Sequence, residues 1–244
     1  MQEIRLDQLL VDRSLVSSRT RGERLIKEHG VRVSGKLIKK PGKKFLADVQ
    51  IELVQDPMAW VSRGALKLEA ALDHWKIDPS GVIALDVGAS TGGFTELLLS
   101  RGAGKVYAVD TGTGQLHRSV QEHPQVISFE QTDIRDCTEK QIDSKVDLCV
   151  IDVSFISLTL IFSSITHFLK GDATIIALYK PQFEVGKTFV GKHGIVKDIK
   201  RVEQVKEQLI RSAKLSGLSF VNSMPSPIKG GDGNQEYLLH FEKR

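Results

Sequence analysis

Two lysines and two acids lie next to apolar segments of this sequence, where charged side chains are uncommon. They are Lys67, Asp152, Lys180 and Glu236. Charged groups at the ends of apolar strands are partly removed from water, which costs free energy unless they are paired or used. Such a set could position a weak nucleophile and take its proton. A cluster of salt bridges without catalytic function is the alternative.

Apolar segments beside these residues predict the elements that must position them. The predicted strands are 83–85, 105–110, 126–129, 146–151, 174–179 and 237–241, with the start of another at 220–221. The predicted helices are 65–74, one from Phe94, and 199–216. Strands alternating with helices form a doubly wound sheet, in which ligands bind at the carboxyl ends of the strands. If the last strand runs antiparallel, Glu236 lies at that edge too.

The stretch from Ile83 to Thr95, IALDVGASTGGFT, predicts the place of a cofactor. A short strand ends at Asp86, and the glycines after it turn the backbone closely enough to bring amides to a ligand. Ser90 stands where the dinucleotide pattern G-x-G-x-x-G has its second glycine, which argues against a nicotinamide-dependent oxidoreductase. The turn therefore predicts a nucleotide-like ligand of another kind.

Three aspartates follow successive predicted strands. Asp86 and Asp110 are 24 residues apart, about the spacing at which a carboxylate meets ribose hydroxyls, and Asp133 follows the third strand. Each alone could be a cap or turn residue. Together they resemble the S-adenosylmethionine site of a Rossmann-like methyltransferase. The predicted cofactor contacts are Asp86, Gly88, Ala89, Ser90, Gly92, Gly93, Phe94, Thr95, Asp110 and Asp133.

Length and composition narrow the function classes. With 244 residues, 41% of them hydrophobic, the chain can form one large domain and a small one. We expect no membrane span, no export signal, and a cytoplasmic location. Cys137 and Cys149 lack metal-ligand spacing and are expected to be reduced thiols. The histidines form no metal motif, so no metal is predicted.

Positive charge is concentrated near the start of the chain. Between Arg19 and Lys44 there are ten Lys or Arg residues and only two acids, which indicates contact with a polyanion. A solubilising surface is the alternative. Two helices, a hairpin of 31–33 with 36–38, and a strand over 49–53 are predicted around these bases. The predicted RNA contacts are Arg5, Arg19, Arg21, Arg24, Lys27, Arg32, Lys36, Lys39 and Lys40.

The segment RLDQLLVDRSLVSSRTRGERLIKEHGVRVSGKLI, with its helices, hairpin and basic residues, resembles the S4 RNA-binding domain of ribosomal proteins and RNA-modifying enzymes. The resemblance implies a small α+β S4 domain over residues 1–57. A linker over 58–64 and an α/β Rossmann-like methyltransferase domain over 65–244 are predicted to follow it.

The whole chain resembles the TlyA family of ribosomal RNA methyltransferases, whose members are also called hemolysins. The motifs are VSRGALKL, LDVGASTGGFT, DVSFISL, KPQFE and GNQEYLL. The resemblance implies that Lys67, Asp152, Lys180 and Glu236 are the K-D-K-E tetrad of FtsJ-type ribose 2′-O-methyltransferases. It also implies S-adenosylmethionine as cofactor, cytidine ribose as target, and ribosomal RNA within ribosomal subunits as partner. Met58 replaces an arginine found at the domain junction of some members, which leaves domain coupling open.

Methyl transfer to a ribose hydroxyl needs in-line positioning and a group that takes the proton. Lys180 is the candidate, either as base or as stabiliser of the developing oxyanion. A lysine at its ordinary pKa of about 10.4 is almost wholly protonated near neutral pH, so a base role requires surroundings that favour the neutral form. Amino-methylating enzymes carry a [DNS]-P-P-[YF] turn after the fourth strand, and this chain has DVSF there. Carbon-5 pyrimidine methylation needs a nucleophilic cysteine, and neither cysteine is suitably placed. Of these acceptors, ribose oxygen remains.

Two other functions stay open on the sequence alone. The fold could be a catalytically idle ribosome-binding or assembly protein, although the intact tetrad argues against this. A membrane-active hemolysin is the other, although no export signal or membrane span supports it. Protein partners, oligomeric state and the modified nucleotide are not predicted. The Gly- and Lys-rich stretch from Gly186 to Gly194 is either a loop that closes on RNA or an ordinary surface loop.

Overall fold

The computed structural model describes residues 3–16, 18–54 and 60–244, and these fall into two compact units divided between Ala59 and Trp60. The predicted linker over 58–64 lies partly outside the described residues. Its last residue, Gly64, already belongs to a helix. Each unit has a hydrophobic core of its own.

The N-terminal unit combines two helices with two small sheets. Its elements are β1 (Glu3–Arg5), α1 (Leu6–Asp12), α2 (Arg19–Glu28), β2 (Val31–Val33), β3 (Lys36–Ile38), β4 (Lys44–Leu46) and β5 (Ile51–Leu53). The side chain of Ser18 accepts a hydrogen bond from the amide of Arg21 and so caps α2. The predicted hairpin of β2 and β3 is confirmed, with β5 on the other side of β2. The antiparallel pair of β1 and β4 was not predicted.

The larger unit is a seven-stranded sheet with helices. Its strands are β6 (Ile83–Val87), β7 (Lys105–Val109), β8 (Val126–Phe129), β9 (Val146–Ile151), β10 (Leu169–Tyr179), β11 (Leu218–Pro225) and β12 (Tyr237–Lys243). Its helices are α3 (Gly64–Trp75), α4 (Gly93–Ser100), α5 (Arg118–Gln121), α6 (Leu158–Ile165), α7 (Pro181–Glu184) and α8 (Ile199–Leu215). The alternation of strands and helices predicted from the sequence is confirmed.

The strand order places predicted catalytic residues at one edge of the sheet. The order is β11-β12-β10-β9-β6-β7-β8, and β12 runs antiparallel to β10. Tyr179 at the end of β10 pairs with Tyr237 at the start of β12. Lys180 directly follows Tyr179 and Glu236 directly precedes Tyr237, so the two residues lie at the same edge of the sheet. The conditional prediction of an antiparallel last strand is therefore confirmed, and Glu236 lies at the carboxyl edge of the parallel strands.

Several strand boundaries differ from the predictions, and β6 and β10 show the two clearest cases. The first strand of the sheet was expected to end at Asp86, but β6 continues to Val87 and Asp86 pairs with Ala108 and Val150 of its neighbours. The strand predicted over 174–179 begins earlier, at Leu169. Its pairing with β9 shifts register between Leu169 and Thr174, which lets a polar stretch remain part of the strand.

Candidate active site

Two adjoining cavities open at the carboxyl edge of the sheet. The larger has a volume of about 330 Å³ and extends from Gly88 to Asp110 and Asp133. The smaller, of about 140 Å³, contains Lys180 among its lining residues. Both cavities are lined by Gly88, Ser90, Asp152 and Ser154. The arrangement suits a large ligand and a smaller group that meet beside Asp152.

The turn after β6 lies close to the loop after β9. Gly88 has φ 85°, and a Cβ atom there would lie 2.4 Å from the carbonyl oxygen of Asp152. A Cβ atom on Gly93 would lie 2.8 Å from Cβ of Ser62. Only glycine allows the first approach, because any side chain would both clash and hold a left-handed backbone. The glycines thus bring the turn against Asp152 and against the residues preceding α3.

The buried half of the predicted tetrad is an ion pair between Lys67 and Glu236. Lys67 Nζ donates a hydrogen bond of 2.5 Å to Glu236 Oε2. The other carboxylate oxygen of Glu236 accepts a 3.2 Å bond from Nε2 of Gln182, two residues after Lys180. The side chains of the pair are 10% and 3% exposed. Each partner leaves water because the other compensates its charge.

The second half is an ion pair between Lys180 and Asp152, and both residues line the smaller cavity. Lys180 Nζ also donates a 3.1 Å hydrogen bond to Oγ of Ser154. A Cβ atom on Gly64, three residues before Lys67, would lie 3.8 Å from Asp152 Oδ2. The first turn of α3 therefore lies beside the second pair and carries the lysine of the first.

The sequence of this chain can now be compared with those of known proteins. The family model of FtsJ-like methyltransferases matches residues 60–243, and the S4 domain model matches residues 4–51. The chain is 42% identical over 236 residues to the 16S/23S rRNA (cytidine-2′-O)-methyltransferase TlyA of Mycobacterium tuberculosis, covering 96% of this chain and 88% of the relative. This chain belongs to the TlyA family. The resemblance found in the sequence is confirmed.

Other members of the TlyA family carry a second name. Hemolysin A of Brachyspira hyodysenteriae is 36% identical over 239 residues, with 98% of this chain and 99% of the relative covered. A solved structure from Streptococcus thermophilus, provisionally described as a hemolysin, is 37% identical and has a TM-score of 0.78. It covers 100% of this chain and 89% of its own. Among the described residues, no helix is long and apolar enough to cross a membrane.

Two of the three predicted cofactor aspartates line the larger cavity of this TlyA-family chain. Asp110 accepts hydrogen bonds from the amides of Ser90, at 2.7 Å, and Gly112, also at 2.7 Å. Asp133 accepts bonds from Arg135, whose guanidinium lowers the pKa of that carboxyl. Ser90 and Gly112 thus tie the glycine turn and the loop after β7 to one carboxylate. Gly88, Ala89, Ser90, Gly93 and Phe94 line one or both cavities as well.

Asp86 is placed differently from its two counterparts. It is fully buried within β6, lines neither cavity, and accepts a 2.6 Å hydrogen bond from Thr95 Oγ1. Burial, with a smaller contribution from the nearby Asp152 carboxylate, raises the pKa of Asp86 to about 7. The strand end expected at Asp86 was wrong because the strand continues past it. Gly92 and Thr95 also line neither cavity, since they begin and anchor α4.

The predicted RNA contacts differ in exposure and in their pairing with carboxylates. Arg5 and Arg19 both donate to Asp7, which is fully buried, with bonds of 2.6 Å and 3.2 Å to Oδ2. The bond from Arg5 lowers the pKa of Asp7 to about 2. Lys27, Arg32, Lys36, Lys39 and Lys40 are exposed, whereas Arg21 and Arg24 are partly buried. Arg5 and Arg19 are thus held by a buried carboxylate, and Lys27 lies 3.9 Å from Glu23 Oε2.

Several residues of the site were not predicted. Gln182 contacts Glu236, Ser154 contacts Lys180, and Glu130 accepts bonds from the amides of Gly114, Gln115 and Leu116. The loop that Glu130 holds includes Gln115, which lines the larger cavity. Gln182 and Ser154 could have been noticed in the sequence as polar residues within the motifs KPQFE and DVSF. No sequence signal marked Glu130, because an acid after a strand is common.

Metal chemistry has no visible ligand set in the part of the chain that the structure describes. No group of three His, Cys, Asp or Glu residues there is arranged to hold an ion. Both cysteines are buried and unpaired, and burial raises the pKa of the Cys137 thiol.

Proposed function

We propose that this protein is an S-adenosylmethionine-dependent 2′-O-methyltransferase that acts on cytidine ribose in ribosomal RNA, within ribosomal subunits of the cytoplasm. The observation that carries the proposal is the position of the ion pair of Lys180 and Asp152. It lies where a cofactor-sized cavity adjoins a smaller one. Membership in the TlyA family, and the names of its relatives, support the choice of substrate.

The larger cavity fits the proposed cofactor. Its volume of about 330 Å³ falls within the range of small-molecule sites, roughly 300–1,000 Å³. Asp110 and Asp133 supply carboxylates for hydroxyl and amine donors, and Gly88 admits a ligand close to the backbone. When bound, S-adenosylmethionine supplies an electrophilic methyl group on its sulfonium. In our proposal the same residues hold the cofactor, with Ser90 at the boundary of the two cavities.

The smaller cavity is assigned to the acceptor hydroxyl. Lys180 Nζ faces this space while paired with Asp152 and bonded to Ser154. The lysine takes the hydroxyl proton or stabilises the negative charge that develops on the oxygen. Asp152 orients the lysine, and the ion pair of Lys67 with Glu236 fixes the first turn of α3 against the start of β12. Fixed donors and acceptors reduce the reorganisation required during transfer.

The direct test is methyl transfer from labelled S-adenosylmethionine to purified small and large ribosomal subunits, followed by mass spectrometry of the digested nucleosides. We expect 2′-O-methylcytidine with the unmodified protein and none with Lys180→Ala. Subunit binding without any methyl transfer would overturn the proposal and favour an assembly protein. A methylated base in place of a methylated ribose would overturn the assignment of the acceptor.

The name of one relative, Hemolysin A, provides a second candidate function. Lysis of erythrocytes by the purified protein, in the absence of cofactor and unaffected by Lys180→Ala, would favour it. If lysis is absent while methyl transfer is present, the enzymatic proposal stands alone.

A further inference from the structure

The segment from Lys187 to Arg201, here called the basic segment, concentrates the positive charge of the larger unit. It contains five Lys or Arg residues and one acid, whereas residues 61–244 as a whole contain 22 of each. The acid, Asp198, is used locally, because its side chain accepts a bond from the amide of Arg201 and caps α8. Arg201 is partly buried and donates to the carbonyl of Val185, so the outward charge is that of the four lysines. A local excess of this kind attracts a polyanion.

The lysines of this segment are available to a ligand. Lys187, Lys192, Lys197 and Lys200 are exposed. Throughout the described ranges, no carboxylate lies within ion-pair distance of any of them. Lysines that have no acidic partner can bind phosphates without first breaking an ion pair. An isolated antiparallel bridge joins Val190 to Val196 within the segment.

Asn234 attaches the basic segment to the active site. Its side chain is almost completely buried, and it accepts a 2.9 Å hydrogen bond from the amide of Val196 through Oδ1. Nδ2 of the same residue donates a 2.8 Å bond to the carbonyl of Gly194. A side-chain amide can form both bonds at once, because its oxygen accepts while its nitrogen donates. Asn234 stands two residues before Glu236, so the two bonds connect the segment to the entry of β12.

We propose that the basic segment binds RNA phosphates beside the target nucleotide, and that Asn234 positions it there. This inference rests on the proposed function, since it takes RNA as the substrate. The segment follows α7, which begins directly after Lys180, and the bonds from Asn234 tie its middle to the chain two residues before Glu236. Phosphate contacts at this place hold the substrate backbone in register while Lys180 acts on one ribose.

The first test replaces Lys187, Lys192 and Lys197 together by Gln and measures binding to purified small and large ribosomal subunits over a salt series. The matched control replaces Lys76, Lys140 and Lys214 by Gln. All six lysines are exposed. Lys76 and Lys140 precede the amino ends of β6 and β9, and Lys214 lies about 21 Å along α8 from Lys200 at 1.5 Å per residue.

The first variant should weaken binding at about 0.1 M salt by at least about tenfold and reduce the salt slope by about two, because each phosphate contact contributes about 0.7 to 0.9. The control should change neither quantity, and both variants should bind S-adenosylhomocysteine as tightly as the unmodified protein. Equal weakening in the two variants would overturn the inference. Methylation of subunits by the unmodified protein is scored separately, so failure of the proposed function is recognised independently.

The second test, Asn234→Ala, keeps every lysine but removes both bonds that hold the segment. We expect faster tryptic cleavage after Lys192 and Lys197 in the full-length protein, and about a fivefold or greater loss of subunit affinity. Folding is monitored by S-adenosylhomocysteine binding, which should persist. Faster cleavage with unchanged affinity would contradict the positioning role of Asn234, and unchanged cleavage would show that Asn234 does not hold the segment.

Discussion

The two ion pairs of the active site each join a lysine to a carboxylate at the same sheet edge, but they differ in exposure and surroundings. The side chains of Lys67 and Glu236 are 10% and 3% exposed and line neither cavity. Those of Lys180 and Asp152 are 12% and 21% exposed and line the smaller cavity. Neither cavity gives a ligand access to the first pair. A ligand in the smaller cavity can take the place of one partner in the second pair.

This difference separates positioning from chemistry. A buried pair keeps its geometry because breaking it leaves an uncompensated charge away from water. A pair at a cavity wall can donate a hydrogen bond to a bound group or take a proton from it. We therefore expect the first pair to matter mainly for stability and the second mainly for the rate of methyl transfer.

The largest effect should come from Lys180. Replacement by Met removes the amine with little change in volume, and the rate of single-turnover methyl transfer should fall about 10²- to 10⁴-fold, the usual contribution of proton transfer. Binding of S-adenosylhomocysteine should be unchanged. Lys180→Arg sharpens the test, because a guanidinium keeps the charge but does not accept a proton. If Lys180→Arg is as inactive as Lys180→Met, Lys180 acts as a base. If Lys180→Arg retains most of the activity, the positive charge of Lys180 stabilises the developing oxyanion.

The buried pair should dominate stability. Lys67→Met leaves the charge of Glu236 buried without its main partner, so the free energy of unfolding should fall by about 3–5 kcal/mol. Urea unfolding measures this directly. The double variant Lys67→Met with Glu236→Gln should recover part of the loss, because no uncompensated charge remains. Lys180→Met, next to the open cavity, should cost less, and an equal cost would contradict the division between the pairs.

Asp86 is a buried carboxyl without a lysine, and it predicts a pH effect. Its folded-state pKa of about 7 lies above the ordinary 3.8, so the folded protein binds this proton more tightly than the unfolded chain. The resulting stabilisation is complete below about pH 4 and is lost as pH rises through 7. Asp86→Asn stays neutral, so its free energy of unfolding should change by about 3 kcal/mol less than that of the unmodified protein between about pH 5 and 8. Parallel pH curves for the two proteins would show that Asp86 is ionised throughout.

The sequence was sufficient to predict most of the large sheet. Its strands are apolar runs bounded by glycines or charges, and the alternation with helices is regular enough to determine the fold class. The antiparallel pair of Glu3–Arg5 and Lys44–Leu46 was missed because three residues are too few for a periodic pattern. The early start of β10 was missed because Lys170, Gly171 and Asp172 interrupt its apolar pattern, although the backbone pairing continues around them.

The site could be predicted as a set of residues but not as a set of contacts. Which lysine pairs with which acid depends on the orientation of α3 against β12, and no local pattern encodes that. Asp86 shows the same limit: its type and position matched Asp110 and Asp133, yet Thr95 nine residues later draws it into the core. Asn234 and Glu130 act through backbone atoms of distant loops, which sequence spacing does not bring together.

The contrast between paired and unpaired charges also predicts the smallest effect, in the N-terminal unit. Lys36, Lys39 and Lys40 are exposed, whereas Arg5 is bonded to the buried Asp7. Replacing the three lysines by Gln should lower affinity for ribosomal subunits about tenfold and reduce the salt slope, with the urea midpoint unchanged. Arg5→Gln should instead lower the free energy of unfolding by about 1–3 kcal/mol, because Asp7 loses its two-bond partner. The prediction fails if the lysine variant has a lower urea midpoint, or if Arg5→Gln has an unchanged one. Pairing in the structure would then not separate structural from RNA-binding charges in this unit.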